Sequence, residues 1–548
     1  MPNLRRRVFV PFMLSYSIRV LKENDKPPNQ PANIAKNDII LTMSTSPPSR
    51  GANNRIVVRV AIVLLLLCSA VFFVASRYKI VQFRDAKIDE ILFYFKNGLA
   101  GGQSSSFTSA VWENIPYVIG LLIILLLPII LKLRWKKRPL RLRHQAYYAG
   151  GLFMISLALL MQSFSIPAYI IALAQSSKVY DQHYVDPRGV KLTFPSTKRN
   201  LIYIYVESLE NTPASKANGG MSDKSVIPEL EKLALTNTSF SHQASGLGGA
   251  LPAHGTTWTV AGMTAQSAGV PLKDGGVFGD RDRNGMGDFN KFLPGAYTLG
   301  QVLEKAGYKQ SFLMGSNKAF GGRDKLLEQH GNYHIIDFTY AQKHGLIPQD
   351  YKVWWGYEDK KLFQFARDEA TRLSKSDKPF NLQMLTVDTH FTDGWMDKDI
   401  CKQQFEAKYD NVHSCASKQI AAFVDWVKQQ PFYANTTIII SGDHLGMQTP
   451  YYEEKIAGAP YQRTIYNAFI NPAVQPTRAT NRQFATFDMY PSTLAALGVT
   501  VDGDRMGLGT NLFSNRQTLV EEFGGIDQLN TELAKRSTYY ERRILSSS

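Results

Sequence analysis

Hydrophobic positions follow two different rhythms along the chain. Up to about residue 173 they form long, nearly unbroken runs: Val57–Ala75, Ile115–Leu131 and Ala146–Ser163. Each approaches the roughly 20 apolar residues needed to cross a bilayer core about 30 Å thick. A shorter run, Ile166–Leu173, is too short to span and is expected at the interface or as an extension of the third helix. From residue 199 the runs shrink to strand length. Asn200–Val206, Lys309–Met314, Asn381–Val387 and Thr436–Ser441 alternate with helix-compatible stretches such as Tyr297–Ala306, Asp359–Ser374 and Ser417–Gln430. Short apolar strands separated by helices predict an α/β fold, a largely parallel sheet covered by helices on both faces. A three-helix transmembrane anchor precedes it.

This rhythm divides the chain into five parts. Residues 1–55 are polar and proline-containing, a disordered cytoplasmic leader within which Met43 is a candidate start. Residues 56–173 are the membrane region and 174–198 a linker. Residues 199–515 form an extracytoplasmic catalytic domain, and 516–548 a charged tail, expected as a surface helix with a frayed end. The first apolar segment is not a cleavable signal, because no small-x-small site follows it and Arg77 and Lys79 come next.

Charge settles the orientation. Of a formal net charge of +16, about +15 falls within residues 1–150, so the larger part of the protein is nearly neutral and offers no nucleic-acid-binding face. The loop Lys132–Arg143 carries seven positive charges and no negative one, which holds it in the cytoplasm. Three crossings then put everything beyond about residue 165 outside. There, Cys401 and Cys415, 14 apart in a polar stretch, are expected to form a disulfide worth about 3 kcal/mol in the chain-entropy model.

In open α/β sheets ligands collect beyond the carboxyl ends of the strands. Glu207 follows Val206, His390 lies just past Leu385, and Asp443 and His444 follow the run ending at Ser441. Singly, each is equally well a helix cap or a hydrogen-bonded loop residue. Together they form a mixed carboxylate and imidazole set suited to Mn²⁺, Mg²⁺ or Zn²⁺. The nucleophile is expected in the glycine-rich stretch Ser245–Gly262. There Gly255 lets the backbone approach a phosphate and Thr256 follows directly. A threonine hydroxyl needs a metal to become reactive.

These residues fall within blocks that carry a resemblance. They are Tyr203–Glu210, Gly255-Thr256 with Trp258–Gly262, Phe320–Asp324, Thr386–His390, Ser441–Gly446, Asp488–Ser492 and Gly507–Gly509. Their order resembles the sulfatase-like phosphoglycerol transferases of the alkaline phosphatase superfamily, a group that includes lipoteichoic acid synthases and enzymes decorating osmoregulated periplasmic glucans. The resemblance implies an alkaline-phosphatase-like mixed sheet. It also implies one divalent metal, Mn²⁺ or Mg²⁺ with Zn²⁺ as a third option, held by Glu207, Asp443, His444 and Thr256.

Thr256 is then the nucleophile, preferred over Thr257 because it directly follows Gly255, while His254 is an unexpected neighbour that could also ligate. Arg323 clamps the phosphate, and His390 contacts the phosphoglycerol or shuttles a proton. The implied reaction moves phosphoglycerol from phosphatidylglycerol, through a phospho-threonine, to an extracytoplasmic glycan, with a periplasmic glucan the leading acceptor. The implied location is a bacterial inner membrane, crossed several times, with the catalytic domain in the periplasm.

Related chemistries remain open: a phosphoethanolamine transferase acting on lipid A, or a polyglycerophosphate synthase of the lipoteichoic type. A decayed, non-enzymatic sensor is disfavoured because every ligand is in place. A formylglycine sulfatase is disfavoured too. Its Ser-x-Pro-x-Arg pattern occurs only at Ser46–Arg50, before the first crossing.

Overall fold

The computed structural model describes residues 50–84, 88–97, 104–131, 134–135, 138–139, 141–273 and 291–546. The expected leader up to residue 49, with Met43, and part of the basic loop 132–143 lie outside the described residues. Among the described residues, three helices are long and apolar enough to cross a membrane. They are α1 (Arg50–Gln82), α3 (Ser104–Ile130) and α4 (Leu142–Ser163), with the short helix α2 (Ile88–Asn97) between the first two. Ile62, Leu66 and Ala70 of α1 pack with Leu125 and Ala149, while Val63, Ile124 and Ile155 point outward. Small residues at the contact let the helices approach closely. The run after α4 does not extend it: Ser165 takes a left-handed φ of 54°, and a separate helix runs from Ile166 to Ala174.

The second part is built on one six-stranded sheet. Its strands are β1 (Asn200–Val206), β2 (Lys309–Met314), β3 (His334–Ile336), β4 (Phe380–Leu385), β5 (Thr436–Gly442) and β6 (Asn467–Ile470). They lie in the order β3-β2-β4-β1-β5-β6, all parallel except β6, which runs antiparallel to β5. Both faces are buried. Leu201, Tyr203 and Tyr205 enter one apolar core and Ile202, Ile204 and Val206 the other, the period of two that a covered strand requires. The pattern alone did not reveal β3 and β6, which are three and four residues long and too short to show an alternation.

Two segments are more deeply integrated than their composition indicates. The stretch 174–198, expected as a linker, buries Val179 and Tyr180 in the first core, and Leu192–Thr193 pairs with Thr500–Val501. The tail 516–548, expected as a surface helix, places Leu519, Val520, Leu529, Leu533, Tyr540 and Ile544 in that same core. Leu529 and Leu533 stand four apart on a helix, Ile526–Ala534, and so share one face. Ten of the tail's 33 residues are charged, but this apolar stripe decides its packing. Cys401 and Cys415 are joined, with Cα atoms 5.7 Å apart.

Candidate metal centre

Strand register assembles the site. Tyr205 of β1 pairs with Leu385 of β4 and Ser441 of β5, and Val206 pairs with Gly442. The next residues, Glu207, Thr386 and Asp443, therefore leave the sheet side by side at its carboxyl edge. Ser208 turns the chain there with a φ of 57°, and its backbone N–H donates to Asp443 Oδ1 at 2.8 Å. The His444 N–H donates to the same oxygen at 2.8 Å.

Glu207, Asp443 and His444 converge, one ligand atom from each lying within 4.8 Å of the others. His444 Nε2 stands 3.4 Å from Glu207 Oε1 and 3.4 Å from Asp443 Oδ2. All three side chains are buried. His444 Nδ1 lies 2.7 Å from the Leu445 carbonyl, an arrangement that keeps the proton on Nδ1 and turns the Nε2 lone pair into the cluster. Asp443 Oδ2, by contrast, is buried and has no hydrogen-bond partner among the described residues. An orphaned carboxylate oxygen facing a second carboxylate and an imidazole lone pair is costly unless a cation is shared among them. The donor set fits a divalent metal.

The electrostatics point the same way. Burial and the neighbouring Glu207 push the Asp443 carboxyl up to about 7, with His444 opposing. Burial works against a charged Glu207 as well, but His390, His444 and the Ser208 hydroxyl outweigh it and hold that carboxyl well below its ordinary range. His444 is pushed up to about 10, because Asp443 and Glu207 outweigh the burial that opposes its charge. In the protein alone, protons do the balancing that a cation would do.

The hydroxyl that reaches both Glu207 and His444 belongs to Thr259. Its Oγ1 donates to Glu207 Oε2 at 3.2 Å and stands 3.4 Å from His444 Nε2. Thr259 is the first residue of helix α5 (Thr259–Ala268), where unpaired backbone N–H groups and the helix dipole favour a phosphate. One glycine lets α5 come so close. A Cβ on Gly262 would lie 2.0 Å from the Asp443 carbonyl oxygen, so no larger residue fits.

Thr256, expected as the fourth ligand and nucleophile, is placed otherwise. Its Oγ1 donates to the Ala253 carbonyl at 2.9 Å and its backbone N–H to the same oxygen at 3.2 Å. Gly255, with φ 79°, turns the chain so that Thr256 closes a tight turn, and the three residues beyond bring Thr259 to the cluster. The signal was present in Trp258–Gly262, a hydroxyl opening a helix with a glycine three residues on. Thr257 lines a neighbouring cavity. His254 Nε2 lies 3.3 Å from Asp89 Oδ2 of α2 and is not one of the converging ligands.

Arg323 and His390 flank the triad without joining it. Arg323 is buried and donates from Nε to the Phe320 carbonyl (2.9 Å) and from Nη2 to the Asn317 carbonyl (2.8 Å). His390 Nδ1 lies 2.6 Å from the Phe391 carbonyl, and its ring packs against Trp355. Burial lowers the His390 pKa, while the charge of Glu207 opposes that shift.

Two residues that spacing could not nominate support the loop carrying Asp443 and His444. Glu210, fully buried, accepts from the Gly446 N–H at 2.9 Å, and Arg463 binds both Glu210 and the Gly446 carbonyl, the latter at 2.6 Å. The tail reaches the site as well: Asn530 Oδ1 accepts from the His254 N–H and its Nδ2 donates to the Pro252 carbonyl, just ahead of the segment that brings Thr259 to the cluster.

The chain is similar to several known proteins. Phosphoglycerol transferase I of Escherichia coli (strain 55989 / EAEC) is 31% identical over 371 residues, covering 66% of this chain and 45% of that protein. The chain thus spans about half the length of the curated relatives it matches. Among solved structures, the lipoteichoic acid synthase LtaP from Listeria monocytogenes superposes with a TM-score of 0.46 at 17% identity, over 60% of this chain and 79% of that one. An alkaline phosphatase superfamily protein from Vibrio parahaemolyticus gives 0.45 at 21% identity, over 62% and 74%. The sulfatase family model matches residues 199–499, from the first strand of the sheet to beyond the last. That match takes in more than half of the chain and all of the converging ligands, and the chain belongs to the sulfatase family.

Proposed function

We propose that this protein is a membrane-anchored transferase that moves phosphoglycerol from phosphatidylglycerol to an extracytoplasmic glycan, an osmoregulated periplasmic glucan first among acceptors. The observation that carries the reading is the Thr259 hydroxyl lying against Glu207 and His444 at the start of a helix. The likeness to phosphoglycerol transferase I supports the choice of donor. Glu207, Asp443, His444 and Thr259 would hold one divalent cation, Mn²⁺ or Mg²⁺, with Zn²⁺ also compatible. When bound it lowers the pKa of the hydroxyl and polarises a phosphoryl oxygen.

Thr259 Oγ1 attacks the phosphorus, its proton leaving along the hydrogen bond to Glu207. The phosphorus–oxygen bond to diacylglycerol breaks, and the departing oxygen takes up a proton. His390, whose Nδ1 keeps its proton on the Phe391 carbonyl, presents a bare Nε2 that would first take up the proton lost by Thr259, relayed from Glu207, and then pass it to that oxygen. A glycan hydroxyl then attacks the phosphorus of the glycerophospho-threonine, the bond from phosphorus to Thr259 Oγ1 breaks, and the proton of the attacking hydroxyl ends on Oγ1, which restores Thr259. Arg323, beside His390, is suited to hold the phosphate. The three apolar helices suit a domain that works on a lipid headgroup at the outer surface of a bacterial inner membrane, because tethering keeps the donor at high effective concentration.

The test is mass spectrometry of the full-length protein after incubation with phosphatidylglycerol vesicles and Mn²⁺. A glycerophosphate adduct is expected on the peptide containing Thr259. An adduct only from phosphatidylethanolamine, carrying ethanolamine phosphate, would move the protein to that transferase class. Labelled glycerophosphate appearing on added glucan identifies the acceptor.

A further inference from the structure

The segment between the first two membrane helices folds onto the catalytic face. The Phe83 ring meets the Phe391 ring edge-on, with centroids 5.3 Å apart. The Arg84 N–H donates to Thr449 Oγ1 at 3.1 Å and its guanidinium pairs with Glu453. On α2, Asp89 pairs with His254. These contacts close a cavity of about 340 Å³ against the loop that carries His444. Phe83 and Glu90 form its membrane-side wall, and Thr257, Leu445, Arg463 and Asn530 are among the residues of the catalytic side.

Most of the polar liners are committed. Asn530 holds the 252–254 backbone, Arg463 holds Glu210 and Gly446, and the Tyr461 hydroxyl donates to the Gly219 carbonyl at 3.1 Å. Glu90 is different. It is 5% exposed, and its Oε2 is buried with no hydrogen-bond partner among the described residues. An oxygen in that state needs a donor. An ammonium group would meet the Arg463 guanidinium across the same cavity, whereas a neutral hydroxyl would not be repelled.

We infer that Glu90, carried by the membrane region, is a substrate-binding residue of the catalytic cleft whose carboxyl hydrogen-bonds a hydroxyl of a polyol, either the glycerol head of the donor or a sugar of the acceptor. The inference rests on the phosphoglycerol-transfer reading. It makes the cleft incomplete without the membrane hairpin.

The experiment uses the full chain with Mn²⁺ in phosphatidylglycerol nanodiscs and compares wild type, Glu90→Met and Glu90→Gln. Methionine matches the volume and removes both polar atoms; glutamine keeps a donor and an acceptor. Diacylglycerol release without acceptor reports the donor step. With periplasmic glucan present, the partition of phosphoglycerol between glucan and water reports the acceptor step. Glu90→Met is expected to lose about tenfold in one of the two, the scale of one neutral hydrogen bond, while Glu90→Gln keeps most of it. A loss in release assigns the glycerol head, and a loss confined to partition assigns the sugar. Unchanged release and partition in Glu90→Met, with wild-type metal content, overturn the inference. A wild-type protein that releases no diacylglycerol overturns the reading beneath it.

Discussion

The Thr259 hydroxyl donates to Glu207 Oε2 across 3.2 Å, although the two residues lie 52 positions apart. The contact exists because β1 ends at the sheet edge where α5 begins. If Thr259 is the nucleophile, Thr259→Ala should abolish both the glycerophosphate adduct and turnover, a loss of about a thousandfold or more. Thr256→Ala should cost about 1 kcal/mol of stability by breaking the bond to Ala253, and leave the adduct intact. Adduct mass spectrometry on the two variants separates the roles.

Removal of any one of Glu207, Asp443 or His444 should cost the protein its cation. Glu207→Gln, Asp443→Asn and His444→Gln are each expected to fall well below one Mn²⁺ per chain by elemental analysis. Chelation of the wild type should lower its unfolding midpoint, since a ligand present at a hundred times its Kd stabilises by about 2.7 kcal/mol. All three variants should be less affected by the chelator than the wild type.

Gly262 has no room for a side chain beside the Asp443 carbonyl. Gly262→Ala should push the start of α5 outward and lift Thr259 from Glu207. A stability loss of about 1–3 kcal/mol is expected, together with a larger fall in kcat than in affinity for phosphatidylglycerol. Equal activity in the alanine variant would mean that this close approach has no part in placing the nucleophile.

Glu90 should make stability depend on pH. Burial, reinforced by Asp89 and opposed by His444 and Lys79, raises its carboxyl from 4.5 to about 8 in the folded protein. The folded state then keeps a proton that the unfolded chain has lost, so this contribution is complete below pH 4.5 and disappears as pH rises towards 8. In chelated protein, the melting temperature of Glu90→Gln should therefore gain on wild type between pH 5 and pH 8. Parallel curves would remove Glu90 as the cause.

Much of the fold was legible before any coordinate. Asn200–Val206 and Thr436–Gly442 read as strands because an apolar run of that length, bounded by polar residues, has few other stable uses. Glu207, Asp443 and His444 were legible as well, since residues just past parallel strands must share one edge. The tail was not. Leu519, Leu529 and Tyr540 are interspersed with ten charged residues, and their burial depends on core surface supplied by distant segments that the sequence does not display. The role of α2 was also hidden, because Glu90, whose buried Oε2 has no hydrogen-bond partner among the described residues, reads in sequence as one more loop charge.

Periodicity and charge placement were enough for three membrane-length helices, an α/β domain and a ligand set of two carboxylates and an imidazole, because these are matters of local pattern and strand order. Which threonine meets the Glu207, Asp443 and His444 triad was not a local matter. The Gly255 turn takes Thr256 to a carbonyl, and the bare Cα of Gly262 admits α5 against Asp443. Choosing among adjacent hydroxyls a few ångströms apart takes the packing of a helix against a strand end, and a linear spacing carries no record of that distance.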